Sequence, residues 1–249
     1  MLIENLDHEI DLAITAIKEA GKLLLNNRDE LNNEILISSK DVKLKADIES
    51  ENLIKEIIAA NSRYPILSEE SGKSQEDLGE TFWVIDPLDG TANYNRGIPI
   101  SCISIGLVNK MEPAAGIILD FNNDELYVGN CSKNISTVNN KKITVSNIKE
   151  KKDAILITGL PHGTDYSNDA LTEMITNMQS WKKVRMVGSA AIASCYVASG
   201  RADLYKENGV FFWDIVAGAA ILNSAGGLAE ISNFKDNYQV DVIFSNSKI

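Results

Sequence analysis

The chain of 249 residues is poor in histidine, with two, and in cysteine, with three. Cys102, Cys131 and Cys195 are odd in number and far apart, which argues against a disulfide framework and against a CxxC metal site. No apolar run approaches the roughly 18 residues that a membrane-spanning helix needs. Positive charge is scarce as well: 24 Lys and Arg stand against 35 Asp and Glu, for a net charge of −11. With no basic surplus to displace counterions, a nucleic-acid partner is not expected. The opening MLIENLDHEI carries Glu4 and Asp7 where a secretory leader needs positive charge, so a cytoplasmic protein is expected.

What is present is the 44% apolar fraction of an ordinary globule, which excludes disorder and collagen-like or coiled-coil architectures. The length suits one large domain or two intimate halves. Most of the acids read as solvated surface. A few could instead converge on metal ions, since an acidic protein that handles an anionic substrate needs cations between the two.

Ile10, Ile14, Ile17 and Leu24 recur at helical spacing and predict a helix over 10–25. A second helix is expected from about 48 to 60, with Leu53, Ile54, Ile57 and Ile58 on one face and Asp47 placed to cap it. YPILSEESG (64–72) reads as an extended stretch running into an acidic turn, and FWVID (82–86) as a buried strand ending on a carboxylate. SCISIGLV (101–108) and AAGIILDF (114–121) read as neighbouring strands, with Asn122 to Asp124 turning into ELYVG. Beyond KKITVS (141–146) the texture alternates. Strands are expected at 155–158, 183–187 and 202–207, and helices around Leu171 to Met178, at 189–199 and at 214–227. The chain therefore divides near residue 145 into an α+β half (1–145) and an α/β half (146–249), packed as one body.

Four acidic features share one local design, each at the end of a strand or the start of a helix: Asp47, Glu69-Glu70, Asp86 to Thr91, and Trp213-Asp214. Taken singly, Asp47 and Asp214 read as helix caps and Glu69-Glu70 as a solvated turn. The string Asp86-Pro87-Leu88-Asp89-Gly90-Thr91 is different. Its two carboxylates, three apart around a stiff proline, can face one point, and the Leu88 carbonyl can join them. Hard divalent cations take such oxygen ligands, Mg²⁺ usually with water and substrate phosphate besides. Gly90 and Thr91 then open a helix whose free amides suit a phosphate. Carboxylates for metal beside amides for phosphate match what phosphate-ester hydrolysis needs: charge on the phosphoryl oxygens, an activated water and a stabilised leaving group.

WVIDPLDGTANY (83–94) and WDIVAGAAILNSAGG (213–227) resemble the two signatures of the inositol monophosphatase family, magnesium-dependent and lithium-sensitive sugar-phosphate phosphatases. DVKLKAD (41–47), SEES (68–71), DELY (124–127), RMVGSAA (185–191) and ADLYKENG (202–209) fall in the family's order. The resemblance implies a layered αβαβα sandwich of the inositol monophosphatase and fructose-1,6-bisphosphatase type, commonly a homodimer. It implies that Glu69, Asp86, the carbonyl of Leu88, Asp89 and Asp214 hold Mg²⁺. Glu69 and Thr91 would orient the nucleophilic water, with the Thr91 hydroxyl held by Asp47. Asp89, Gly90, Thr91, Gly188, Ser189, Ala190 and Glu207 would meet the substrate. Two departures stand out: Leu44 occupies a place where the family usually has Thr, and the chain stops at SNSKI where the family typically continues into a last helix.

Ala92-Asn93-Tyr94 resembles the form found in inositol and fructose-bisphosphate phosphatases, whereas nucleotidases and histidinol phosphatases of the family commonly carry Lys directly after the Thr. The expected substrate is thus a small sugar or polyol phosphate, foremost inositol monophosphate. The alternatives are fructose 1,6-bisphosphate, a 3′(2′),5′-bisphosphate nucleotide, or a non-catalytic metal-binding regulatory role. Arg201, Lys206 and Lys40 read as surface cations before a second phosphate site, His162 as a loop residue, and Cys195 as core.

Overall fold

The computed structural model describes residue 3 and residues 5–37, 42–160 and 165–249. Lys40 and His162 lie outside the described residues. The chain opens with α1 (Leu6–Asn26), the single turn α2 (Arg28–Leu31) and an antiparallel pair, β1 (Glu34–Ile37) and β2 (Val42–Leu44). α3 (Lys45–Asn61) leads into β3 (Ile66–Ser68), β4 (Gly72–Lys73), β5 (Thr81–Asp89) and the short α4 (Thr91–Arg96). β6 (Cys102–Asn109), β7 (Glu112–Asp120), β8 (Glu125–Asn130), β9 (Ile135–Val138) and β10 (Lys141–Lys142) follow. They complete an eight-stranded sheet in the order β10-β9-β8-β7-β6-β5-β3-β4.

The remaining elements are β11 (Ile155–Thr158), α5 (Asn168–Met178), β12 (Lys183–Arg185) and α6 (Ala190–Ala198). After them come β13 (Leu204–Phe211), α7 (Phe212–Ser224), β14 (Leu228–Ser232) and β15 (Gln239–Ser245). Five strands form a second, mixed sheet in the order β12-β11-β13-β15-β14.

Alternation along β6 explains the layering. Ile103, Ile105 and Leu107 point to one face, where they join Ile10, Ile17 and Leu24 of α1 and Ile54 and Ile58 of α3 in one core. Cys102 and Val108 point to the other, into a core built from α6, α7 and the inner face of the second sheet, with Ile157, Tyr205 and Phe244. The result is the layered αβαβα arrangement that the family resemblance implies, with α5 on the outside. None of the residues of α5 is buried, and its Met174 and Met178 look onto a cleft of about 690 Å³ over the second sheet.

The seat of α7 is cut by three glycines. Gly106, Gly116 and Gly129 are in register across β6, β7 and β8. A Cβ on Gly116 would stand 2.0 Å from the Ala217 carbonyl oxygen, and one on Gly129 2.6 Å from the Ile221 Cα. The sheet thus offers a side-chain-free track into which the small-residue helix sinks, and this fixes where Asp214, in the helix's first turn, meets the first sheet.

The structure differs from the sequence expectation at several boundaries. α3 begins at Lys45, so Asp47 lies inside its first turn and not before it. α7 begins at Phe212, which places Asp214 likewise. β5 runs on past Asp86 to Asp89, with a break in register between the two that accommodates Pro87. β14 and β15 were not anticipated, although Gln239 to Ser245 alternates in burial as a strand does.

Candidate active site

Asp86 and Asp89 sit on either side of the irregularity in β5, both almost wholly buried. Asp86 Oδ1 accepts the Leu88 N–H at 3.0 Å, which folds the turn around Pro87. The Pro87 carbonyl is held from α3 by the Ser50 hydroxyl at 2.8 Å. Gly90 follows at φ 83, and a Cβ there would stand 2.8 Å from the Ile100 carbonyl oxygen, so both conformation and space require glycine.

Asp47 and Asp214 play one local part twice. Each is the third residue of its helix, and each reaches back to the amide just outside it: Asp47 Oδ2 accepts the Leu44 N–H at 2.7 Å, and Asp214 Oδ2 the Phe211 N–H at 3.0 Å. The backbone of Leu44 supplies this bond whatever its side chain, so the departure from Thr at that place leaves the Asp47 contact standing. The other Asp47 oxygen faces Thr91, whose hydroxyl lies 2.9 Å from Asp47 Oδ1 and 2.9 Å from the Leu88 carbonyl. One hydroxyl proton serves one of these acceptors at a time.

Asp89 turns toward the second half of the chain. Its Oδ2 accepts the Ser189 hydroxyl and, at 2.9 Å, the Ala191 N–H, at the N-terminus of α6. The Cys102 thiol lies 3.7 Å from the same oxygen. Ser189 also caps α6, accepting the Ile192 N–H at 3.2 Å. Gly188, before it, has φ 72.

These acids act on one another electrostatically. Burial pushes the Asp86 carboxyl well above its ordinary value, and the negative charges of Glu69, Asp89 and Asp214 push it further. Burial raises Asp214 in the same way, again with Glu69 and Asp89 acting on it. Solvent reaches the Glu69 side chain, yet protein surrounds the carboxyl on most sides, and this desolvation carries it to about 8. A hydrogen bond with Asp86 works against that rise. Asp47 is raised by burial to about 6, with the Leu44 and Thr91 bonds opposing. Glu207 is raised by burial to about 7; it accepts the Tyr205 hydroxyl at 3.1 Å and feels the charge of Asp89. Glu207 also stands at the edge of the cleft beneath α5.

Asp86 and Asp214 are each raised by Glu69 and Asp89 as well as by burial, and together these carboxyls offer hard oxygen donors. A hard divalent cation suits them. Among the described residues, no group of three or more His, Cys, Asp and Glu side chains is placed so as to hold a metal ion. Asp86, Asp89 and Asp214 each commit an oxygen to protein donors instead.

Several supporting residues escaped the sequence reading. Glu51, buried on α3, accepts the Glu70 N–H at 3.0 Å and the Ser68 hydroxyl, so it shapes the turn that carries Glu69. Lys43 forms an ion pair with Glu70. Asp47, Ser50, Glu51, Ile54 and Ile58 are the buried stripe of α3, and the polar half of that stripe, at spacings of three and four, was the available signal. Arg201, weighed for a second phosphate, is held by Glu125 through two short contacts of 2.6 and 2.5 Å. Lys206 is exposed and Cys195 is buried in the core.

The model of the inositol monophosphatase family matches residues 5–242 of this chain. The chain is 34% identical over 222 residues to the Nus factor SuhB of Xylella fastidiosa, covering 88% of this chain and 80% of the relative. It is 33% identical over 223 residues to the inositol-1-monophosphatase of Mesorhizobium japonicum, covering 88% and 83%. The solved structure of an inositol monophosphatase from Anabaena (Nostoc) matches with a TM-score of 0.83 at 33% identity, covering 99% of this chain and 93% of that one. Paired signatures, layered architecture and these likenesses agree, and the chain belongs to the inositol monophosphatase family.

Proposed function

We propose that the protein is a Mg²⁺-dependent phosphomonoesterase acting on a small sugar or polyol phosphate, foremost inositol monophosphate. What supports this reading is the electrostatic influence of Glu69, Asp89 and Asp214 on Asp86, from three separate segments, beside a threonine hydroxyl held between Asp47 and the Leu88 carbonyl. Glu69, Asp86, the Leu88 carbonyl, Asp89 and Asp214 would hold the cation. When bound, the ion supplies positive charge to the phosphoryl oxygens and to the attacking and departing oxygens.

The protein's own groups do the rest. With its proton directed at Asp47 or Leu88, the Thr91 oxygen keeps lone pairs free to accept a bond from a water, and Glu69 orients the same water from the opposite segment. Amides of Gly90 and Thr91 face the phosphate. The turn Gly188-Ser189-Ala190 and the Glu207 carboxylate receive the hydroxyls of the alcohol. Water adds to phosphorus and the ester P–O bond breaks; one proton of that water ends on the departing alcohol oxygen and the other stays on the phosphate.

Phosphate release from inositol 1-phosphate, fructose 1,6-bisphosphate and adenosine 3′,5′-bisphosphate, with Mg²⁺ and with a chelator, tests the reading. Release from the first, lost in chelator, is expected. A preference for either bisphosphate would select that alternative. Release from none would leave another phosphate ester as substrate or a non-catalytic metal-binding regulatory protein, the latter favoured by likeness to a protein named as a Nus factor. We read the residues 1–145 and 146–249 as two halves of one catalytic body. A cytoplasmic homodimer is the accompanying proposal, on family analogy for the dimer and on the three free cysteines for a reducing compartment, and light scattering in solution checks the first.

A further inference from the structure

We propose that Asn93 is a positioning residue that sets the span between the phosphate end and the hydroxyl end of the site, and so tunes selection of the alcohol. The inference rests on the phosphatase reading and adds to it a residue that contacts no reacting atom.

Asn93 lies in α4, two residues beyond Thr91. Its amide nitrogen stands 2.8 Å from the Ile100 carbonyl, 2.9 Å from the Val187 carbonyl and 3.3 Å from the Gly188 carbonyl. Ile100 belongs to the segment leading into β6 of the first sheet. Val187 and Gly188 belong to the turn that opens α6, 94 and 95 residues away in sequence. One side chain thus grips both halves of the chain. Its two hydrogens are spent on carbonyls, and an amide alone among side chains of this size supplies two donors on one nitrogen.

The grip is close. A Cβ on Gly188 would lie 3.1 Å from the Asn93 nitrogen, and one on Gly90 3.2 Å from the Gly188 carbonyl oxygen. Two glycines, each at positive φ, therefore pass one another with Asn93 fastened across them. Gly90 and Thr91 form the phosphate side of the proposed site, and Gly188 to Ala190 form the hydroxyl side. A second link, from Asp89 to Ser189 and Ala191, runs parallel to the first. That link uses a carboxylate with a competing duty toward a cation. The Asn93 link is neutral and has no such duty, so it holds the turn whatever the charge on Asp89.

Phosphate monoesters that differ in the alcohol separate this role from general support of the fold. Inositol 1-phosphate reaches both ends of the site, whereas phenyl phosphate has no hydroxyl for the Gly188 turn. Asn93→Ala should raise KM for inositol 1-phosphate and lower its kcat/KM about tenfold, the worth of one or two such hydrogen bonds. For phenyl phosphate kcat/KM should stay within about twofold, because the phosphate side is untouched. Should Asn93→Ala fail to fold, Asn93→Ser leaves one donor on a smaller side chain, and a weaker split in the same direction is expected. Equal loss on both esters, or none on either, overturns the assignment while leaving the phosphatase reading intact. A wild-type chain that cleaves neither these esters nor either bisphosphate removes both.

Discussion

Asp89 and Ser189, 100 residues apart in sequence, are joined by a hydrogen bond at the N-terminus of α6, with the Ala191 amide on the same carboxylate oxygen at 2.9 Å. A buried acid that is proposed to hold a cation thereby also fastens the first half of the chain to the second. Its two duties can be separated by experiment.

Asp89→Asn keeps the shape and an acceptor while removing the charge. Turnover should fall at least about a hundredfold, as expected when a group that stabilises developing charge is lost. The metal-free melting temperature should hold or rise, since burial already disfavours the charged form of Asp89. Phosphate release and thermal melting with and without Mg²⁺ measure the two effects. Full activity in the variant would refute the ligand assignment.

Thr91→Val replaces the hydroxyl between Asp47 and the Leu88 carbonyl with a methyl group of similar size. The loss should fall on kcat, about a hundredfold, with KM changed by less than about twofold, because the hydroxyl is proposed to orient water and not the ester. A change confined to KM would move Thr91 from the water to the substrate.

The metal-free protein should lose stability as pH rises. Glu69 at about 8, Glu207 at about 7 and Asp47 at about 6 all lie above their ordinary values of 4.5, 4.5 and 3.8. The folded state then binds more protons than the unfolded one, so stability present below about 4 is drawn down between there and about 8. Melting in a chelator should show this decline, and added Mg²⁺ should recover most of it at pH 8. A melting temperature flat from pH 5 to 8 in chelator would contradict the clustering of these acids.

Gly116→Ala places a methyl group where the Ala217 carbonyl oxygen now lies, 2.0 Å from the new Cβ. Backbone cannot yield as a side chain does, so a destabilisation of about 3 kcal/mol or more is expected, at the upper end of overpacking. Chemical denaturation measures it. Activity should fall as well, because α7 carries Asp214 and rides on this glycine.

Most helices and strands, and the acids of the proposed site, are legible in the order of residues alone. The division of β6 side chains between two cores and the three-four stripe of α1 follow from periodicity, which local geometry imposes on any chain that hides its apolar side chains. The Asp86 to Thr91 string carried its chemistry in its spacing, since proline and glycine restrict the turn before any partner arrives. Tertiary structure decided what the side chains do with that chemistry. Asp47 and Asp214 look like caps in the linear order, and only the meeting of α3, β5 and α7 turns them toward shared neighbours. Asn93 and Ser50 show no motif spacing to the carbonyls they hold, because those carbonyls lie 94 and 37 residues away and hydrogen bonds of such reach leave no local period. Periodicity reports the face a residue shows to the core, and a contact between distant segments exists only once the layers have closed.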